Sequence, residues 1–193
     1  MARSALDSEA LLEASRRCAQ VFTDQDTTPP PVRRLASAAG MSERTFHRYF
    51  PSKEDCLRPV LAEGTTRFAA ALSAQEPGRD LTSAVIDAFE TTYRDDPTSS
   101  DAYVRELMTR VFEDDLLRRV WLQATYDAGH LLRPSIAALL GTPLDDLRTT
   151  TVSGQAALLH VITIEKLVAD GTPLCASVRP VATMLFGPPK HHP

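Results

Sequence analysis

The stretch from Val32 to Asp55, VRRLASAAGMSERTFHRYFPSKED, constrains the fold of this 193-residue chain more than any other. Leu35 and Ala39 fall at helical intervals, Gly40 interrupts the pattern, and a second helical pattern follows. Gly40 is suited to the positive φ that ends a helix, and Ser42 is suited to cap the first free N–H groups of the next one. The sequence therefore predicts two short helices joined by a tight turn.

The outer face of the second helix is polar and charged. Small alanines let the two helices cross closely, while Met41 and Phe46 fill the angle between them. From Val32 to Lys53 there are five Lys or Arg and one acid, a net charge of +4 in a chain whose net charge is −4. Because this positive charge is concentrated where a phosphate backbone would lie, we interpret the stretch as a DNA-binding helix-turn-helix.

Nine residues of this segment are assigned to DNA binding. Arg44 is expected to reach base edges, as Arg does to guanine, and His47 is expected near the backbone or a base. The residues that would hold phosphates and set the register are Arg33, Thr45, Tyr49 and Lys53. The alternative for any one residue is a solvated charged surface. The full set is Arg33, Ser42, Glu43, Arg44, Thr45, His47, Arg48, Tyr49 and Lys53.

The run LASAAGMSERTFHRYFPSKED resembles the N-terminal signature of the tetracycline-repressor (TetR) family. The family pattern is an Ile/Leu-Ala-x-x-Ala-Gly-Val-Ser run, a Tyr-x-x-Phe, and a Lys opening the fourth helix. Two departures are visible: His47 replaces a frequent Tyr, and three prolines, Pro29 to Pro31, lead into the second helix where a Gly is usual.

The resemblance implies an all-α homodimer of about nine helices. An N-terminal three-helix helix-turn-helix DNA-binding domain would occupy residues 1–51, a helical effector-binding and dimerisation domain residues 52–187, and a tail residues 188–193. The implied function is a ligand-responsive transcriptional regulator, more often a repressor, that binds an inverted-repeat operator on double-stranded DNA. A small hydrophobic or amphipathic effector would change its DNA affinity. The alternative is a helical homodimer that binds small molecules or proteins and no longer binds DNA specifically.

Further helical patterns follow the same 3.6-residue period, and no stretch alternates convincingly like a strand. We expect Pro59 to kink the fourth helix, Pro134 to interrupt the seventh, and Pro180 to distort the last. Start and stop signals place two late helices after Thr142-Pro143 and Thr172-Pro173, ended by Gly171 and Gly187. The expected helices are 8–22, 31–39, 42–50, 52–74, 81–93, 100–112, 116–140, 143–170 and 173–186, with breaks at Glu76-Pro77-Gly78 and Asp95-Asp96-Pro97.

Two further sets of residues are assigned beyond the DNA-binding segment. An effector cavity would be apolar with a few polar anchors, and its candidates are the aromatic and polar residues of the middle helices. Plain core packing is the alternative for each of them. The first of the last two helices is apolar around much of its surface, and in the resembling family the last two helices form a four-helix bundle with a partner's pair. Cavity candidates are Phe89, Tyr93, Tyr103, Phe112, Trp121, Tyr126 and His130; interface candidates are Leu147, Thr151, Leu158, Ile162, Val181 and Leu185.

Composition and cysteine usage bound the class of protein. A hydrophobic content of 43% and a charged content of 24% are typical of globular proteins. Cys18, Cys56 and Cys175 are odd in number and form no CxxC pair, which indicates a reducing compartment in which each packs as a small apolar residue. No run approaches the ~18 apolar residues of a membrane span, and the N-terminus lacks the apolar core of a signal peptide. We therefore expect a cytoplasmic protein.

Enzyme and metal-protein motifs are missing from the sequence. It contains no P-loop, GxGxxG, HExxH or nucleophile elbow. Asp127 and His130 share one helical face, but a metal site in a helical bundle needs several such ligands on facing helices. His191 and His192 lie in the expected tail. We expect no enzyme activity, no catalytic residue, no metal site and no cofactor.

Overall fold

The computed structural model describes residues 7–24, 29–94 and 100–189. Over these ranges the chain is all-α, with nine α-helices, one short 3-10 turn at Glu54–Leu57 and no strand, so the predicted fold class is confirmed. The helices are α1 (Ser8–Thr23), α2 (Val32–Ala38), α3 (Glu43–Tyr49), α4 (Arg58–Ser73), α5 (Leu81–Tyr93), α6 (Asp101–Glu113), α7 (Asp115–Leu140), α8 (Leu147–Asp170) and α9 (Leu174–Phe186).

The chain folds as two compact units. The first comprises Met1–Glu63 and Thr109–Ala124, and the second comprises Gly64–Met108 and Thr125–Pro193. The first boundary therefore falls inside α4, further along the chain than the division at residues 51 and 52 that the helix-turn-helix pattern suggests.

The first unit is built around the apolar stripe of α1. Asp7 starts this helix because its carboxylate accepts the Ala10 N–H at 2.8 Å. Ala14, Cys18 and Phe22, which are spaced four residues apart, are buried on one side of it. The same unit buries Leu35, Ala36, Phe46, Phe50 and Leu57. The packing of these residues helps to hold α2, α3 and the 3-10 turn in place.

Ser15 ties α1 to the start of α4. Pro59 lies at that start and does not kink the helix. Ser15 is fully buried; its hydroxyl donates to the Cys56 carbonyl at 2.6 Å and accepts the Val60 N–H at 3.1 Å. Pro59 is the second residue of α4, where a missing N–H breaks no helical hydrogen bond. The expected kink was wrong because the helix begins at Arg58 rather than at Ser52.

The core of the second unit draws one large residue from each of five helices. Phe68 of α4, Phe89 of α5, Leu132 of α7, Leu159 of α8 and Val178 of α9 are all 0% exposed. Burial of this kind stabilises by about 1.5–3 kcal/mol per large side chain. The sequence pattern of α8, apolar on more than one side, is thus largely accounted for by packing within the unit.

The two interior prolines do not break their helices, contrary to expectation. α7 runs unbroken through Pro134 and α9 runs unbroken through Pro180. Both prolines are exposed. The carbonyls that each one leaves without a helical partner, those of His130 and Ala176, also belong to exposed residues, so solvent can satisfy them.

The boundaries of the last helices were predicted with one error. α8 begins at Leu147 with Asp146 as its cap, which accepts the Arg148 N–H at 2.8 Å, and not at Thr142-Pro143. The hydroxyl of buried Thr149 donates to the Pro143 carbonyl at 2.9 Å, which holds the preceding turn against the helix. Gly171 ends α8 at φ 75°, as predicted. Gly187 ends α9, also as predicted. The expected break at Asp95-Asp96-Pro97 and the residues from Lys190 to Pro193, including His191 and His192, lie outside the described residues.

Candidate functional site

The turn between α2 and α3 has the geometry that its glycine predicts. Gly40 has φ 68° and donates its N–H to the Ser37 carbonyl at 3.0 Å. The next amide, that of Met41, donates to the Ala36 carbonyl at 2.8 Å. This pair of bonds closes the helix end. A Cβ at Gly40 would meet nothing within 4 Å, so the backbone angle rather than crowding is what favours glycine here.

Ser42 begins α3 as predicted. Its backbone is extended at φ −72° and ψ 153°, and its hydroxyl accepts the Thr45 N–H at 3.2 Å. The same hydroxyl donates to the Thr45 hydroxyl at 2.9 Å. Both side chains are therefore held in one orientation at the N-terminal end of α3.

The seven residues of α3 divide cleanly between an apolar anchor and a polar outer face. Phe46 is 0% exposed, and its ring lies 5.0 Å from that of Phe50. Thr45 and Tyr49 are half-buried. The exposed residues of this helix are Glu43, Arg44, His47 and Arg48. The helix thus presents two arginines, one histidine and one acid to solvent, while its opposite side packs into the first unit.

Arg48 and Tyr49 form one rigid group at the end of α3. The Arg48 guanidinium lies 4.9 Å from the centre of the Tyr49 ring, and its Nη2 donates to the Tyr49 hydroxyl at 3.3 Å. Stacking of this kind limits the rotamers of both side chains. A guanidinium held in this way loses less conformational freedom when it binds an anion.

Two further basic residues, Arg33 and Lys53, lie before and after α3 in the sequence. Arg33 is exposed in the first turn of α2. Lys53 is 29% exposed, and its ammonium lies 3.9 Å from the Glu54 carboxylate, too far for a hydrogen bond. Next to it, Ser52 and Asp55 form the predicted capping box: each side chain accepts the other's N–H, at 3.2 Å and 3.0 Å.

Arg17 of α1 lies at the same surface and was not assigned from the sequence. It lines a cleft of about 520 Å³ together with the α2–α3 turn, Thr45, Arg48 and Tyr49. Glu13 lines this cleft as well, and its carboxylate pairs with the Arg17 Nε at 3.0 Å. The pattern of α1 places Arg17 on a polar face, but only the tertiary structure shows that this face meets the turn.

Two cysteines that are far apart in sequence are in contact. Cys18 of α1 and Cys56 of the 3-10 turn are both fully buried in the first unit, and their thiols are hydrogen-bonded to each other. This hydrogen bond, together with burial, holds the pKa of the Cys56 thiol well above its ordinary value. The Cys18 thiol also lies 3.7 Å from the Leu35 carbonyl. Both cysteines are buried, as expected from the sequence, but the contact between their thiols was not predicted.

The seven effector-cavity candidates fall into separate groups. Phe89 and Tyr93 pack together in the second unit, with ring centroids 4.7 Å apart. Phe112 and Trp121 form a pair at 5.1 Å within the first unit, and Tyr103 is half-buried on α6. Tyr126 and His130 form an exposed pair at 5.1 Å on α7.

Tyr126 and His130 line an open cleft of about 510 Å³ between α7 and α8, with Gly129 and Gly154 on its walls. Asp127, which the sequence places on the same helical face as His130, is exposed on α7. Among the described residues, no group of three or more His, Cys, Asp or Glu side chains is arranged to hold a metal.

The structure adds Phe68 and His160 to the Phe89–Tyr93 pair. The His160 ring lies 4.7 Å from that of Phe68, 5.0 Å from that of Phe89 and 5.9 Å from that of Tyr93. His160 stands out in the sequence only as a histidine on an apolar face. Phe68 carries no signal at all, because its proximity depends on how α4 packs against α5 and α8.

The second unit leaves two apolar stripes exposed, one on α8 and one on α9. Leu147 is 80% exposed and Leu158 is 44% exposed; Thr151 and Gly154 lie between them on the same exposed stripe. On α9 the exposed stripe consists of Ala176, Pro180 and Met184, the last 84% exposed.

The other interface candidates lie elsewhere. Ile162 and Leu185 are half-buried and pack against the core of the unit, and Val181 is buried in it. The interface itself stays a prediction, to which α9 can contribute its exposed Ala176–Met184 stripe more readily than the buried Val181.

Within the described part of the chain, α8 is also the one helix long and apolar enough to cross a membrane by length and composition. Of its most apolar window, 44% is buried inside the protein, as in the core helix of a soluble domain.

Comparison with known proteins bears on both units. Residues 11–60 match the sequence model described as "Bacterial regulatory proteins, tetR family". No curated protein matches the sequence.

Solved structures with the same fold cover almost the whole chain. The R. erythropolis transcriptional repressor QsdR is 17% identical, with a TM-score of 0.57 over 97% of this chain and 99% of that one. Salmonella enterica GusR is 17% identical, with a TM-score of 0.57 over 92% and 95%. A TetR transcriptional regulator from Rhodococcus sp. RHA1 is 16% identical, with a TM-score of 0.55 over 92% and 96%.

Proposed function

We propose that this chain, a transcriptional regulator that belongs to the TetR family, binds an inverted-repeat operator as a homodimer and changes its DNA affinity when a small effector binds. The observation that carries the proposal is α3, a capped helix with a buried anchor and an exposed basic face. A helix of this kind enters the major groove with its N-terminal residues at base edges.

The roles of the DNA-contacting residues follow from their positions on that helix. Arg44 lies in the first turn and is exposed, so it would reach a guanine edge. Thr45 and the stacked Arg48–Tyr49 group would bind phosphates, with Arg33 and Lys53 extending the contact on either side. Arg17 joins this set because it lines the same cleft. Ser42 orients Thr45, while Glu43 and His47 face the groove.

Dimerisation would use the exposed stripes of α8 and α9. The two helices pack against each other within the unit, so two copies would form a bundle of four helices from apolar faces that one copy leaves in solvent. A two-fold axis through such a bundle makes the interface self-complementary. The two recognition helices would then read half-sites about one DNA turn apart, ~34 Å.

The effector would act by changing the spacing of the two recognition helices. A ligand that prefers one arrangement shifts the population towards it, by as much as its affinity differs between the two. We assign transmission to α4, which begins in the first unit and ends in the second. Repression with release by effector is the proposed mode, in a cytoplasmic protein that carries out no chemistry on its ligand.

Selection of bound sequences from a random double-stranded DNA pool tests this proposal. We expect the purified protein to recover one inverted repeat at near-physiological salt. The matched pair of variants is Arg44→Ala, which should relax the selected sequence, and Arg79→Ala, an exposed arginine of the second unit that should not. Recovery of no preferred sequence, with and without candidate effectors, would instead favour the helical dimer that has lost specific DNA binding.

A further inference from the structure

His160 lies at the centre of an aromatic cluster formed by Phe68, Phe89 and Tyr93. Its side chain comes from the middle of α8, and those of the three rings come from α4 and α5. The three ring centroids lie 4.7 to 5.9 Å from that of the imidazole. His160 is only 6% exposed. A polar side chain is therefore enclosed by three rings, of which only that of Tyr93 carries a hydroxyl, and Nε2 of His160 is hydrogen-bonded to none of them.

The protonation state of His160 follows from its one hydrogen bond. Nδ1 lies 3.4 Å from the Ala156 carbonyl, and since a carbonyl only accepts, Nδ1 must carry the proton. Burial lowers the pKa of His160 to about 4, so the ring is neutral at physiological pH. In a neutral ring with the proton on Nδ1, Nε2 is a bare acceptor.

Nε2 of His160 is buried and has no hydrogen-bond partner among the described residues. A buried acceptor left unpaired destabilises the folded state, and native proteins rarely retain one without a reason. The partner that would satisfy it must be a donor. We expect it to be uncharged as well, because the imidazole is neutral and none of the three surrounding rings carries a charge that could compensate a buried one.

We propose that Nε2 of His160 is the polar anchor of the effector site, and that the effector is a neutral, apolar molecule with a flat body and a hydroxyl or N–H donor. Its body packs among Phe68, Phe89 and Tyr93, while its donor binds Nε2. This inference rests on the proposed function, since it names the class of ligand to which the regulator responds.

Tyr93 is the ring through which such a ligand would enter. It is the last residue of α5 and is half-buried, whereas Phe68 and Phe89 are fully buried. The Tyr93 hydroxyl lies directly against Gly64 of α4, where any Cβ would collide with it. A glycine in the middle of a helix is otherwise unfavourable. Gly64 therefore leaves the space in which the Tyr93 ring packs beside the imidazole.

The first test is nitrogen NMR of the imidazole rings in the full-length protein, with the His160 signals identified by their loss in His160→Phe. The expected result at neutral pH is an uncharged ring with its proton on Nδ1 and an unprotonated Nε2. A proton on Nε2 would overturn the proposal, because the ring would then need an acceptor and not a donor.

The second test is calorimetric titration with two probes that share a naphthalene body, 2-naphthol and its methyl ether, 2-methoxynaphthalene. Only the first carries an O–H donor. We expect 2-naphthol to bind at least tenfold more tightly, and we expect its addition to shift the Nε2 resonance. Equal affinity for the two probes, or no binding of 2-naphthol up to its solubility, would overturn the proposal.

Three variants locate the effect at His160. His160→Phe keeps a ring but removes the acceptor, so the preference for 2-naphthol should disappear. His160→Gln, which can place an acceptor oxygen near the same position, should restore part of it. Glu165→Phe places a ring on the exposed face of α8, outside every assigned site, and should leave the preference intact. A preference that survives His160→Phe in a folded protein would place the binding site elsewhere.

The result for the effector site can be separated from the result for DNA binding. Probe binding is measured without DNA, so it stands or falls even if no operator is found. If an operator is selected but the probes bind without discrimination, the regulator function stands and only the His160 site is wrong. If 2-naphthol binds through His160 but no sequence is selected, the effector site stands and specific DNA binding is wrong.

Discussion

Helices α3 and α8 each leave one face unpacked within their own unit, but the two faces differ in chemistry. The free face of α3 carries Arg44, His47 and Arg48, whereas that of α8 carries Leu147 and Leu158. A basic face suits a polyanion such as the DNA backbone. An exposed apolar stripe suits another protein surface that excludes water. This difference is the reason why we propose DNA recognition for α3 and association of two chains for α8.

The largest effect is expected from charge placed on the apolar stripes. Leu158→Asp combined with Met184→Asp should give monomers in sedimentation, because two buried carboxylates would oppose the interface. Binding to an intact inverted repeat should weaken by about 10²- to 10⁴-fold as the linkage between half-sites is lost. Both residues are exposed in the single chain, so its fold should survive.

Leu131→Asp is the control for that experiment. Leu131 is 46% exposed on α7 and belongs to neither stripe, so the same substitution there should leave the dimer intact. A dimer that persists in the variant with Leu158→Asp and Met184→Asp would contradict the proposal that the exposed stripes of α8 and α9 form the interface.

The next effect concerns the buried side of α8, where His160 contrasts with the exposed His47 of α3. The pKa of His160 falls from 6.5 to about 4 on folding because of burial. The unfolded chain therefore binds the proton first, and stability is lost as the pH falls from about 6.5 towards 4. The expected loss is on the order of 3 kcal/mol. Urea unfolding at several pH values measures it.

His160→Phe should remove this part of the acid destabilisation, whereas His130→Phe should keep it. Identical pH dependence in both variants would show that His160 is not held neutral in the fold, which would also weaken its assignment as a bare acceptor.

A smaller effect separates two cations of the DNA-binding surface. Arg44→Ala should cost about 1–3 kcal/mol on the selected operator and relax the choice of base at one position. Lys53→Ala should weaken all sequences alike and reduce the slope of log affinity against log salt by about 1. Equal losses on operator and random DNA for both variants would contradict this division of roles. Fluorescence anisotropy at several salt concentrations distinguishes the outcomes.

The smallest effect is expected at the start of α3. Ser42→Ala removes the acceptor for the Thr45 N–H and should lower the free energy of unfolding by about 1 kcal/mol. Operator affinity should fall as well, because Thr45 loses its fixed orientation. Ser42→Asp, which retains an N-cap acceptor, should be about as stable as the unsubstituted protein. Equal unfolding midpoints for Ser42→Ala and Ser42→Asp would show that the cap is dispensable.

The features that were predicted correctly from sequence are the ones decided by near neighbours. Gly40, Ser42 and the Ser52–Asp55 box lie within a few residues of the groups they bond. A positive φ or a missing N–H partner at a helix end is a local condition, and only a few residue types meet it. The 3.6-residue spacing of the apolar residues likewise predicted the all-α class.

The prolines show where local reasoning failed. Whether a proline breaks a helix depends on whether another group can satisfy the freed carbonyl, and exposure at Pro134 and Pro180 allows solvent to do so. At Pro59 the outcome depends on where the helix begins, which Ser15 influences from α1. Neither condition can be seen within a few residues of the proline.

The sequence by itself therefore determined the fold class, the α2–α3 turn and the capped helix α3, since these rest on backbone geometry and charge along short stretches. Only the tertiary structure decided which distant side chains meet. It brought Cys18 to Cys56, Arg17 to the recognition surface, and Phe68, Phe89 and Tyr93 around His160. Such contacts depend on the packing of whole helices against one another, and the many weak interactions that set this packing leave no local mark in the sequence.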